Sequence, residues 1–250
     1  MIDVSDLHHS LGGAPVLNGV DLHLPRGGIT AMIGPNGAGK STLLSLIARL
    51  RDVQRGRITL DGQDITRIAD RDMARRLAVM PQSTQITARL RVADLVEFGR
   101  YPWHRGRPGP EDRALVAQAL ERFDLGDLQT RFLDEISGGQ RQRALAAMTF
   151  AQSTDYLLLD EPLNNLDIAA ARDLMRLLRE MADKDGKTIL IVIHDINYAA
   201  AFADRLVVMK DGRIAAEGSP AEVVTAPLLS ETFGTPARVT HIDGRPVVLV

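Results

Sequence analysis

Gly34-Pro35-Asn36-Gly37-Ala38-Gly39-Lys40-Ser41-Thr42 follows an apolar run, residues 29–33, and leads into the helically spaced Leu43-Leu44-Ser45-Leu46-Ile47. Strand, glycine-rich loop and helix in that order turn G-x-x-x-x-G-K-[ST] into a phosphate site. Gly34, Gly37 and Gly39 let successive N–H groups turn inward at a helix N-terminus whose dipole favours anions. Lys40 is placed to reach β- and γ-phosphates, and the Ser41 hydroxyl to bind Mg²⁺. An ordinary glycine turn closed by a serine is the bland alternative. Only four of the thirty basic residues are lysines, which makes a lysine at this position informative.

Composition sets the frame around the loop. A length of 250 residues buries one good core with a subdomain attached, and 45% hydrophobic with 25% charged residues is the balance of a soluble globular chain. A net charge of −2 gives no general attraction to nucleic acid or anionic lipid. With no cysteine there is no disulfide, thiolate metal site or thiol chemistry. Met1-Ile2-Asp3-Val4-Ser5-Asp6 lacks the basic, apolar character of a signal peptide, and no run reaches the ~18 apolar residues of a membrane helix.

Working outward, residues 1–28 suggest short strands and turns. Residues 56–60 with Asp61-Gly62 suggest a hairpin, and 75–80 a strand ending at Pro81-Gln82. From 92 to 150 the spacing turns helical. Leu115, Val116, Ala119, Leu120 and Phe123 share one face of a helix entered through Pro110, while 99–110 is a loop rich in Gly, Pro and Arg. Residues 156–159 and 188–193 are uniformly apolar, as buried parallel strands are, and a helix over 168–182 links them. Asp211-Gly212 and Asp243-Gly244 mark tight hairpins, and Ser219-Pro220-Ala221-Glu222 a capped helix start.

Each of four candidate strands ends on a polar group: the phosphate loop, Gln82, Asp160-Glu161 and His194. In parallel α/β sheets ligands bind outside the carboxyl ends of the strands. Asp160 fits a carboxylate that holds Mg²⁺ through its waters, and Glu161 a base that polarises the attacking water. His194 is expected to sense the γ-phosphate. Gln82 fits a neutral group that binds both Mg²⁺ and the lytic water. Ser137-Gly138-Gly139-Gln140 satisfies a capping box, but a capping box does not explain two glycines in a first turn. Glycines there suit a phosphate that approaches the backbone closely.

Taken together, residues 34–41, Gln82, Ser137-Gly138-Gly139-Gln140, Asp160-Glu161, Asn165-Leu166-Asp167 and His194 resemble an ABC-transporter ATPase subunit over almost the whole chain. The resemblance implies an α/β fold: a P-loop NTPase (RecA-like), mostly parallel sheet core, an N-terminal antiparallel β subdomain and an inserted α-helical subdomain. The expected division is 1–84 with 152–250 for the core and 85–151 for the helical part. It also implies a homodimer in which ATP on one copy meets Ser137, Gly138, Gly139, Gln140 and Asp167 of the other. Its further partners are integral-membrane permease subunits and, indirectly, a periplasmic or lipoprotein substrate-binding protein. The expected location is peripheral, on the cytoplasmic face of the inner membrane.

Within that family, residues 92–102, 161–167 and His194-Asp195-Ile196-Asn197 resemble the ATPases of ferric-siderophore importers, with heme and vitamin B12 importers as alternatives. Two departures stand out. Ile136 replaces the usual Leu of the signature, a volume-conserving change. Leu11 stands where the family commonly stacks an aromatic on adenine, which implies weaker adenine contact unless His8 or His9 substitutes. Tyr101, Trp103, His104, Arg105 and Arg107 belong either to a solvated loop or to the groove that receives the permease. An ABC-type ATPase acting on DNA or ribosomes is the rival from another class. It needs long coiled coils, two nucleotide domains or a basic surface, none of which this sequence carries. A non-hydrolytic scaffold conflicts with Glu161 and His194, and a P-loop GTPase with the lack of an Asn-Lys-x-Asp motif.

Overall fold

The computed structural model describes residues 1–82 and 89–249, so the expected 84/85 boundary and Val250 lie outside the described residues. In chain order the elements are β1 (Ile2–Leu11), β2 (Ala14–Leu24), β3 (Gly28–Ile33), α1 (Lys40–Ile47), β4 (Arg55–Leu60) and β5 (Gln63–Asp64). Next come α2 (Asp70–Arg76), β6 (Leu77–Met80), α3 (Val92–Phe98), α4 (Tyr101–His104), α5 (Pro110–Arg122), α6 (Gly138–Ala151), β7 (Tyr156–Asp160) and α7 (Ile168–Lys184). The chain closes with β8 (Thr188–Val192), α8 (Ile196–Phe202), β9 (Arg205–Lys210), β10 (Arg213–Gly218), α9 (Pro220–Val223), α10 (Ala226–Phe233), β11 (Arg238–Ile242) and β12 (Arg245–Leu249). Two compact units emerge, residues 1–68 with 178–250, and residues 69–177.

In the first unit β3 pairs in parallel with β8 on one side and β9 on the other, and β10 joins β9 antiparallel. Every residue of β8 is buried, and so are the last five of β3, which explains why neither shows alternation. Each buried Ile, Leu or Val there is worth about 2 kcal/mol of removed apolar surface. A second, antiparallel sheet is built from β2, β1, β4 and β5. Here the sequence-based expectation of short strands was too modest: β1 and β2 run 10 and 11 residues, with register shifts that absorb their irregular alternation. All three expected Asp-Gly turns form, with Asp61, Gly62, Asp211, Gly212, Asp243 and Gly244 all at positive φ.

In the second unit β6 and β7 pair in parallel, Leu77 opposite Tyr156 and Met80 opposite Leu159. The strand expected from residue 75 begins at Leu77, because Arg75 and Arg76 complete α2 and Arg75 donates to the Pro102 carbonyl. α5 buries Val116, Ala119 and Leu120 as the spacing predicts, with Phe123 buried just beyond its end, while Leu115 of the expected face is only half-buried. The expected loop over 99–110 contains a helical turn, α4. Trp103 explains it: its indole N–H donates to the Gln152 carbonyl at 2.8 Å, and the Arg75 and Arg100 guanidinium groups lie over its ring. Beneath it, Arg100 and Asp112 form a buried ion pair at 3.0 Å. The Asp112 carboxyl, which burial alone would push up, is held below its ordinary value by the Gly109 N–H and the Arg100 guanidinium.

Candidate functional site

β3 delivers the chain into the phosphate loop, and the loop's shape is dictated by its neighbours. Gly34 lies at φ 147°, and a Cβ there would stand 2.1 Å from the Met209 carbonyl of β9. Gly39, at φ 98°, caps α1, and a Cβ would meet Leu17 of β2 at 2.6 Å. Close packing as well as backbone freedom therefore requires glycine at both positions. α1 starts with no side-chain cap and no carboxylate in its own first turn, which suits its N-terminal N–H groups and positive dipole end to an anion. Lys40 is only 5% exposed, and its ammonium donates to the Gly34 and Pro35 carbonyls at 2.8 and 2.9 Å. Pro35, Asn36, Gly37 and Ala38 form the loop between them, and Ser41 and Thr42 are half-buried in the first helical turn.

On the same sheet, Ile193 donates to the Met32 carbonyl at 3.2 Å. That bond brings the end of β8 level with the end of β3, so exposed His194 sits at the edge where the phosphate loop begins. Asp195 then caps α8, its carboxylate accepting from the Asn197 and Tyr198 N–H groups.

The second unit carries the carboxylates. Asp160 ends β7 at 4% exposure and Glu161 follows at 8%. Glu161 holds a left-handed backbone, φ 52°, a conformation costing a non-glycine residue about 1 kcal/mol. Its Oε2 accepts from Gln82 Nε2 at 2.7 Å and from Asn164 Nδ2 at 2.6 Å. The parallel β6–β7 pair brings Gln82 and Glu161 to one edge, as the sequence predicts. Asn164 was not anticipated; its position three residues after Glu161 is the signal that could have found it. Because Gln82 gives its amide nitrogen to Glu161, the carbonyl oxygen is its atom for a cation.

Ser137 forms the capping box with Gln140: the Gln140 N–H donates to Ser137 Oγ at 3.2 Å, and the Ser137 N–H to Gln140 Oε1 at 2.9 Å. Ser137 and Gly138 are exposed. A Cβ on Gly138 would find only ordinary contact with Asn165 at 3.8 Å, so this fold does not itself require glycine there. At Gly139 a Cβ would press on Leu166 at 3.3 Å, which accounts in part for that glycine. Asp167 is exposed and accepts from the Ala170 N–H at 2.8 Å at the start of α7. Leu11 is 37% exposed at the end of β1. His9 is buried and His8 is paired with Asp6 at 2.8 Å.

A lysine held in a glycine loop at a bare helix N-terminus, with its sheet neighbour ending in histidine, is a nucleotide-phosphate cradle. Residues 17–164 match the ABC transporter family. Over 247 residues the chain is 43% identical to the petrobactin import ATP-binding protein YclP of Bacillus subtilis (strain 168), covering 99% of this chain and 98% of that protein.

The chain belongs to the ABC transporter family.

It is also 37% identical to the iron(3+)-hydroxamate import ATP-binding protein FhuC of Bacillus subtilis (strain 168), over 91% of this chain and 86% of that protein. In structure it resembles a metal-chelate type ABC transporter in an inward-facing conformation, with a TM-score of 0.84, 25% identity, and 100% and 97% of the two chains covered. The expected P-loop NTPase fold with its antiparallel β subdomain is therefore the ABC ATPase fold, and the cassette is an ATP-binding, ATP-hydrolysing one. No helix among the described residues is long and apolar enough to cross a membrane.

The donors fit Mg²⁺ in kind. Ser41 offers a hydroxyl, Asp160 a carboxylate and Gln82 a carbonyl, all hard oxygen ligands. Among the described residues no group of three or more His, Cys, Asp or Glu could hold a metal by itself.

Proposed function

We propose that this cassette is the ATPase subunit of a bacterial importer for an iron chelate, with a ferric siderophore as cargo. Its similarity to the petrobactin and iron(3+)-hydroxamate import proteins supports that cargo, as do residues 92–102 and 161–167. The subunit itself does not handle iron. It works as a homodimer on the cytoplasmic face of the inner membrane, against integral permease subunits fed by a substrate-binding protein. Residues 85–151 serve as the helical subdomain bearing the signature.

Lys40 and backbone N–H groups of residues 34–42, of which Pro35 has none, bind the triphosphate, and Leu11 lies against adenine. Ser137, Gly138, Gly139, Gln140 and Asp167 complete the partner copy's nucleotide site. The exposed, unhindered Gly138 carries this reading, because it leaves backbone open to an incoming phosphate. Glu161, oriented by Gln82 and Asn164, takes the proton of the attacking water, and His194 senses the γ-phosphate. Magnesium, when bound through Ser41, Gln82 and Asp160, supplies charge neutralisation at the phosphates. ATP then acts by differential affinity for the closed pair, and hydrolysis releases it.

The test is co-purification of the tagged cassette with its membrane partner, followed by ATP-dependent uptake of radiolabelled ferric siderophore, heme and vitamin B12 in vesicles. Uptake of the siderophore alone is expected. Uptake only of heme or B12 overturns the cargo, and an integral partner that never appears overturns the importer.

A further inference from the structure

Gln142 lies on α6 three residues beyond Gly139, and so on the same face of the helix. That face is turned to the segment after β7. The Gln142 side-chain amide donates to the Pro162 carbonyl at 3.0 Å, and a Cβ on Gly139 would reach Leu166 at 3.3 Å. The segment itself is two tight turns in succession: the Asn164 N–H donates to the Glu161 carbonyl and the Leu166 N–H to the Leu163 carbonyl, both at 3.2 Å. Glu161 and Asn165 lie in the left-handed region at φ 52° and 63°. Glu161 does so directly before a proline, where an extended backbone is the ordinary one. A backbone in such a state persists when its surroundings over-determine it. Gln82 and Asn164 hold the Glu161 carboxylate, and Gln142 holds the peptide that joins Pro162 to Leu163.

The bond from Gln142 spans 20 positions of sequence and joins two parts of the site. On one side of it is the first turn of α6, with Gly138, Gly139 and the capping Ser137. On the other is Glu161. We propose that Gln142 is a positioning residue for ATP hydrolysis, tying the backbone of Glu161 to the helix that carries residues 137–140. Its effect has a direction. Residues 137–140 serve the partner copy's nucleotide, whereas Glu161 serves its own, so loosening Gln142 slows the site on its own chain. The inference rests on the proposed dimer and on the assignment of Glu161 as the base.

The test is steady-state ATP hydrolysis by the full-length chain. Gln142→Met keeps the side chain's bulk and removes the donor. It is expected to lower kcat about fivefold, with the KM for ATP within about twofold and Tm within about 2 °C of wild type. Gln142→Glu, ionised and without a donor, repeats the measurement if Gln142→Met does not fold. Differently tagged copies then give mixed dimers with one working base. Paired with a Glu161→Gln copy, a Gln142→Met copy hydrolyses at its own site and is expected to show the same fivefold loss. With both substitutions on one copy and a wild-type partner, hydrolysis runs at the partner's site and is expected to match wild type paired with Glu161→Gln. Loss in this second pairing places Gln142 in the service of residues 137–140 and overturns the proposal, as does wild-type kcat in Gln142→Met. Both results leave the base assignment standing. If one disabled base silences both sites, the Gln142→Met homodimer decides, and a KM that rises as much as kcat falls overturns the proposal. Wild-type kcat in Glu161→Gln overturns the base assignment and the proposal with it.

Discussion

Gln82 donates its side-chain amide to Glu161 Oε2 at 2.7 Å, across 79 positions of sequence. Asn164 donates to the same oxygen at 2.6 Å. These two neutral donors on one oxygen help fix the carboxylate's direction. In the proposed mechanism the orienting bonds aim this carboxylate at the attacking water. Glu161→Gln is accordingly expected to lower kcat by about 10³-fold while ATP binding persists. Size-exclusion chromatography with ATP should then show a stable dimer. A strictly monomeric, ATP-saturated variant would remove the basis for a shared site.

Asn164→Ala removes one of the two orienting bonds and leaves Gln82 in place. A neutral hydrogen bond of about 1 kcal/mol corresponds to a kcat about fivefold lower, with the KM for ATP unchanged. Equal rises in KM and falls in kcat would place Asn164 in binding instead.

Gly34→Ala tests the packing behind the phosphate loop. A methyl 2.1 Å from the Met209 carbonyl forces β9 or the loop to move, at a cost of about 3 kcal/mol. Chemical denaturation should show that loss without any nucleotide present. Gly138→Ala meets only ordinary contacts, so it is expected to leave stability within about 0.5 kcal/mol yet to abolish ATP-dependent dimerisation.

The Arg100–Asp112 pair supports the helical region under Trp103. Asp112→Ala leaves a buried, uncompensated guanidinium and should cost about 3 kcal/mol. Because the folded Asp112 carboxyl titrates below its ordinary value of 3.8, the stability it contributes is complete above about pH 4 and is lost as pH falls through the folded value. Urea denaturation of wild type and variant should therefore stay apart at pH 7 and draw together only as pH falls from 3.8 toward and below the folded value.

At the end of β1, Leu11→Tyr replaces an exposed aliphatic with a ring able to stack on adenine. ATP affinity is expected to rise about threefold, or about 0.7 kcal/mol, by fluorescence titration. Unchanged or weaker affinity would place adenine elsewhere.

The sequence alone was enough for the phosphate loop, the parallel strands and the polar residues at their ends. Those features are written in local chemistry: a lysine after glycines, apolar runs too uniform for a half-exposed sheet, and polar residues where the runs stop. The Asp-Gly hairpins were equally legible, because a turn at positive φ is a property of two adjacent residues. Tertiary structure alone decided the rest. Trp103 sits in a helical turn because Gln152, far along the chain, offers its indole a carbonyl. Asn164 becomes a partner of the base only because the turn after β7 folds back onto Glu161. Gly34 is glycine because β9 passes against it, and Asn197 braces a helix because a hairpin about fifty residues later lies alongside. Apart from the Glu161–Asn164 pair, three residues apart, each of these contacts joins residues whose separation is closed only by folding, so no pattern within either stretch could have announced the other.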